Sequence, residues 1–246
     1  MRIWSFFNLC NFELMRRVFI LIVICMPLCM YSQIAQDSNS VNPPYFEDQF
    51  YLGITYNFLL NQPEDVNQQN LSYGLQGGFI KDIPLNNNRT IGMGIGLGLG
   101  LNTYYSNIRA TNGVSGVQYS IIDEGEPYKR SKLETHSVEL PIEFRWRNSN
   151  ATEYKFWRIY TGVKFAYVYD TRSKFVPNDN ADIGIDSFRN VDAQKLQYGL
   201  TFNFGYNSFN AHIYYSLTNL LNDNVVLGQE SIRMKPLRIG LIFYIL

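Results

Sequence analysis

HSVELPIEFRWR (136–147) and FWRIYTGVKFAYVYD (156–170) have the pattern of the two arms of a β-hairpin. In the first arm Val138, Leu140, Ile142, Phe144 and Trp146 alternate with Glu139, Pro141, Glu143, Arg145 and Arg147. In the second, Trp157, Ile159, Val163, Phe165 and Tyr167 share one parity, and Arg158, Tyr160, Gly162 and Lys164 take the other. Period-2 alternation places apolar side chains on one face of a strand and polar ones on the opposite face. NSNATEYK (148–155), a run of polar turn formers, joins the arms.

Two folds accommodate such a hairpin. A soluble antiparallel sheet turns its apolar face to a core, whereas a membrane β-barrel turns it to lipid and points its charges inward. The arms are longer than ordinary soluble strands. Trp146 and Trp157 flank the short turn on the apolar face, where a barrel carries an aromatic girdle, here on the periplasmic side.

Working outward, MRRVFILIVICMPLCMYSQ (15–33) reads as a secretory signal peptide: Arg16 and Arg17 precede an apolar run from Val18 to Leu28, with a plausible cleavage point before Gln33. The apolar run is short for a bilayer-spanning helix. Met15 is a better start than Met1, and the expected leader covers residues 1–32. Cys10, Cys25 and Cys29 all lie in it, so the expected mature chain has no disulfide, thiolate nucleophile or cysteine metal site. The whole chain balances 21 Lys and Arg against 21 Asp and Glu; without Arg2, Arg16, Arg17 and Glu13 it has 18 against 20, close to −2, which argues against nucleic acid as a partner. Aromatic residues make up 15% of the chain. No later segment is a uniformly apolar helix-length run.

Residues 33–49 carry no period and read as a periplasmic lead-in; residues 50–246 read as the barrel. Strands are expected over 50–60, 71–82, 90–105, both hairpin arms, 195–206, 211–219 and 233–246. Ile91, Met93, Ile95, Leu97, Leu99 and Leu101 alternate with Gly92, Gly94, Gly96, Gly98 and Gly100. A dinucleotide fingerprint needs glycines of mixed parity, and these are all even-numbered. The remaining reading is a row that lets bulky neighbours cross a narrow, closed barrel. The expected connections alternate long and short, and about eight strands belong to the even-numbered bacterial series. The expected fold is therefore an all-β, antiparallel up-and-down barrel in the bacterial outer membrane, with long outer loops and short periplasmic turns. Its last strand, LRIGLIFYIL, resembles the signal read by the barrel-insertion machinery, which with outer-membrane lipid is an expected partner.

An eight-stranded barrel is just wide enough for side chains. The phase points Glu139, Glu143, Arg145, Arg147, Arg158, Lys164, Lys195 and Arg238 inward, where they are expected to pair as a structural plug rather than a proton path. No serine has a recognisable nucleophile context. Two separated histidines, His136 and His212, make no metal cluster. No catalytic residue, metal or cofactor is expected. Among the long loops, Tyr119, Tyr128, Phe175 and Phe188 are candidate partner-contact residues.

The hairpin also carries a resemblance. The run from His136 to Pro141, the Arg145-Trp146-Arg147 end, and Phe156-Trp157-Arg158 followed by Gly162 and Lys164 resemble the PorT family of outer-membrane barrels. That resemblance implies a non-catalytic role as an accessory or assembly component of type IX secretion, with other secretion components as partners and no active site to transfer. Two other readings stand beside it: a small passive porin or structural barrel, and a barrel whose loops bind a surface ligand.

Overall fold

The computed structural model describes residues 49–114, 116–123, 125–126, 128–148, 157–178, 184–206 and 209–245. The expected leader, and all of the lead-in except Gln49, lie outside them. Eight long strands build the wall: β1 (Gln49–Leu60), β2 (Tyr73–Pro84), β3 (Ile91–Tyr105), β6 (Tyr128–Arg147), β7 (Trp157–Pro177), β9 (Leu196–Tyr206), β10 (Phe209–Ser216) and β13 (Lys235–Ile245). Shorter pieces decorate one end: β4 (Ile108–Gly113) with β5 (Gly116–Ile121), β8 (Asp186–Arg189), and β11 (Val226–Leu227) with β12 (Glu230–Ser231).

Each long strand pairs antiparallel with the next, and the circuit closes where β13 pairs with β1, Ile54 opposite Leu241. Closure leaves the wall without a sheet edge. The faces are inverted relative to a soluble protein: Tyr51 is 2% exposed on the inside, whereas Leu97 is 61% exposed on the outside. Phe50, Leu52 and Ile54 on β1, Phe144 and Trp146 on β6, and Phe202 and Phe204 on β9 all face outward. An apolar band running around a protein is far larger than the isolated patches that water tolerates; lipid is its solvent.

The glycine row on β3 faces inward and is occupied by neighbours. A side chain at Gly98 would collide with the Tyr51 hydroxyl, one at Gly94 with the Arg145 guanidinium, one at Gly100 with the Glu139 carboxylate, and one at Gly96 with Ile80. The missing side chains are what let a narrow barrel hold long polar groups.

Long and short connections alternate. They are short between β2 and β3, β6 and β7, and β9 and β10, and long at the opposite end. The strand bounds differ most at that long-loop end. The loop expected over 106–132 contains the β4–β5 hairpin and the start of β6, and β7 continues past Asp170 to Pro177, with β8 added to it. YKRSK and TRSK carry no apolar alternation, so sequence patterning alone does not show them as strands. Beyond the apolar band an outward face needs none, and the backbone ladder from Leu133–Ser173 to Ser131–Phe175 suffices.

Candidate functional site

The lumen is the chemically dense part of the molecule. Its inner layer, nearest the short turns, is built on β6. Arg145 is fully buried and directs Nε and Nη2 to Glu143 Oε2 at 3.1 and 3.0 Å. Its Nη1 lies 3.6 Å from Asp82 Oδ2 and donates to Gln49 Oε1 at 3.4 Å. The guanidinium lies over the rings of Tyr160 and Tyr244, at 4.6 and 5.5 Å. Arg147 Nη2 meets Asp82 Oδ2 at 2.5 Å, and its Nε donates to the Arg89 carbonyl at 2.7 Å. On the other side of Glu143, Asn203 Nδ2 donates to Oε1 at 3.3 Å, and Asn203 Oδ1 is 2.5 Å from His212 Nδ1.

The second layer lies two turns of the pleat further along β6. Glu139 is fully buried and bridges two strands, with Oε2 at 2.9 Å from Lys164 Nζ on β7 and Oε1 at 3.3 Å from Arg238 Nη1 on β13. Lys164 also donates to Gln76. Arg238 and Lys164 flank Tyr214, 4.4 and 5.6 Å from its ring centroid. Together the layers bury three carboxylates (Asp82, Glu139, Glu143) and five cations (Arg145, Arg147, Arg158, Lys164, Arg238) among the described residues. The electron-rich faces of Tyr160, Tyr214 and Tyr244 offset part of that positive excess.

The long-loop end is closed by carbon. Leu59, Tyr104, Leu220, Leu221, Val225, Ile232 and Met234 form a buried cluster, with Ile108, Tyr119, Ile121 and Leu133 packed on it. A cavity of about 40 Å³ lies against this cluster, lined by Leu59, Tyr104, Tyr119, Leu133, Leu220 and Met234, among others. Tyr119 also ties β5 to the segment after β8. The Asn190 amide donates to its oxygen at 2.8 Å, and its hydroxyl donates to Asp192 at 3.2 Å. Burial pushes the Tyr119 phenol above its ordinary range despite the Asn190 contact, and nearby Asp192 adds to the rise.

Of the eight charges expected inside, seven are buried on the inner face. Lys195 is exposed instead: it precedes β9, where no strand directs it inward, and it takes no part in the network. Asp82 is the carboxylate that sequence reading missed. Its even position on β2, in phase with Gly74 and Gln76, was the available signal. Trp146 and Trp157 face outward beside the short β6–β7 connection, and Trp157 stacks on Phe204 at 5.2 Å.

The four aromatic residues expected to meet partners are largely used within the chain. Phe175 is 2% exposed inside β7, beneath Arg109 at 4.3 Å and stacked on Tyr128 at 5.9 Å. Tyr128 bonds Gln69, Tyr119 is held as described, and Phe188 is half-buried on β8 opposite Ser173. They stabilise the outer layer, because the strands extend past the apolar band and carry them into a packed cap.

Every lumen carboxylate is engaged by a cation, and no group of three His, Cys, Asp or Glu residues suited to a metal occurs among the described residues. No curated protein is similar enough to the chain to stand as a relative. The family model for the outer membrane protein beta-barrel domain matches residues 33–222. With that match over most of its length, on a closed eight-stranded wall with an apolar exterior, the chain belongs to the outer membrane protein beta-barrel domain family.

Proposed function

We propose that this chain is a non-catalytic outer-membrane barrel, exported by its N-terminal signal peptide, that serves type IX protein secretion as an accessory or assembly component. The observation that carries the non-catalytic, non-porin part is the filled lumen: two buried ionic layers crossed by tyrosines, under an apolar plug built from Leu59, Leu220, Ile232 and Met234. Such an interior has no place for a passing solute, so function falls to the outward wall and the loops. The secretion assignment is supported by the PorT-like hairpin at residues 136–169, whose Glu139, Glu143, Arg145 and Lys164 are the residues that organise the lumen. The test is deletion of the gene, with one C-terminal-signal cargo protein followed in medium and periplasm. The proposal expects retained, unprocessed cargo, restored by complementation. Normal export in the deletion strain overturns it.

A further inference from the structure

The outward wall changes character at the long-loop end of β6 and β7. With a rise of about 3.3 Å per residue and a tilt near 40°, each residue climbs roughly 2.5 Å along the barrel axis. An apolar band of about 25 Å therefore takes the outer face of β6 from Trp146 to about His136. The next outward positions on β6 are Glu134, Lys132 and Arg130, beside Arg172 and Lys174 on β7 and Arg189 on β8. Two like-charged pairs lie directly across the ladder, Lys132 opposite Lys174 and Arg172 opposite Arg189. Such pairs destabilise a sheet unless something answers them.

Only part of that answer is internal. Glu134 pairs with Lys132, and Asp170 lies 3.1 Å from Arg172 and 3.5 Å from Arg189. Five cations thus face two carboxylates on this part of the wall, among the described residues. Lys132 also lies 6.0 Å from the Tyr105 ring. Tyr105 in turn lines an adjoining open groove of about 710 Å³ with Leu71, Tyr73 and Val176 as its apolar wall and Asn70, Lys129 and Arg130 as its polar one. Cations at headgroup height, above apolar wall and beside a groove with one apolar and one basic side, match one kind of partner: a lipid with phosphorylated headgroups and acyl chains.

We propose that Lys132, Arg172 and Lys174, with Arg130 and Arg189, form a binding site on the outer wall for the phosphorylated headgroup of a membrane lipid. The phosphates supply the counter-charge that Glu134 and Asp170 leave unmet across the five cations, and the acyl chains lie along the apolar band below.

The test uses the mature barrel in phosphatidylcholine vesicles, with and without a bisphosphorylated lipid A. Its thermal unfolding is followed by the mobility difference between folded and unfolded barrel on gels. The wild type is expected to unfold about 5 °C higher with the phosphorylated lipid, and inorganic phosphate at the same phosphate concentration is expected to give no rise. K132Q/R172Q/K174Q is expected to unfold within a few degrees of wild type in phosphatidylcholine, because the lost like-charge repulsion offsets the lost Lys132–Glu134 and Arg172–Asp170 pairs, and to lose the lipid-dependent rise. K132R/K174R, which keeps the charge, is expected to retain it. A rise that persists in the triple glutamine variant, an absent rise in wild type, or an equal rise with inorganic phosphate overturns the proposal.

Discussion

Glu139 offers the sharpest test of the lumen. It is one carboxylate between two cations, 2.9 Å from Lys164 and 3.3 Å from Arg238, with no exposure to solvent. At an effective dielectric near 20, those separations correspond to gross attractions of about 6 and 5 kcal/mol. Much of this is offset by desolvation of the three charges, and loss of one member of such a buried arrangement costs about 3–5 kcal/mol. Glu139→Gln preserves shape and some hydrogen bonding but strands two buried cations, so it is predicted to fall in that range. Lys164→Met removes one of them, and the double variant is predicted to be less destabilised than the sum of the singles by about 1–3 kcal/mol. The assay is urea unfolding in vesicles. Tryptophan fluorescence is a clean reporter, since Trp4 lies in the expected leader and Trp146 and Trp157 both sit on the outward wall. A loss below about 1 kcal/mol for Glu139→Gln, or strict additivity in the double variant, would mean that the three groups do not share a buried network.

Gly98→Ala places a methyl group against the Tyr51 hydroxyl and within 2.8 Å of the Gly77 carbonyl oxygen; overpacking of this kind costs about 1–3 kcal/mol, and Tyr51→Phe in the same chain should recover part of it, as read by the same unfolding experiment. Truncating the plug with Leu220→Ala and Ile232→Ala, both about 1% exposed, is expected to cost about 2–5 kcal/mol per site and to raise protease cleavage of the loop layer before the wall unfolds. The Tyr119 phenol is raised in the folded state, so its contribution is fully present below its ordinary value of 10.0 and is lost as pH climbs above it; proteolysis of the loop layer should accelerate above that pH in wild type, and Tyr119→Phe should flatten the dependence.

Alternation carried most of the architecture. Leu97 and Leu99 against Gly98 and Gly100, or Phe202 and Phe204 against Asn203, assign each side chain a face because membrane and lumen make opposite demands on successive residues. Where only one demand acts, the pattern fades. Tyr128 to Leu133 and Thr171 to Pro177 lie beyond the apolar band, where an outward arginine or lysine is as well placed as an apolar residue is within it, so period-2 patterning does not mark their strands. The ionic residues were visible by parity, yet Asp82 was passed over at the end of its strand and Lys195 was counted before its strand had begun. The tyrosines were legible by position but not by role. Tyr160, Tyr214 and Tyr244 fall on the inward parity of their strands, but alternation does not say that a ring which buries its body and stacks on a guanidinium serves a lumen with more cations than carboxylates.

If the filled lumen leaves only the wall and loops to act, the purified barrel should not conduct. Single-channel recording in planar bilayers decides this: insertion without current steps above the lipid baseline is expected, and steady ohmic conductance from the wild-type protein would mean that the lumen is open.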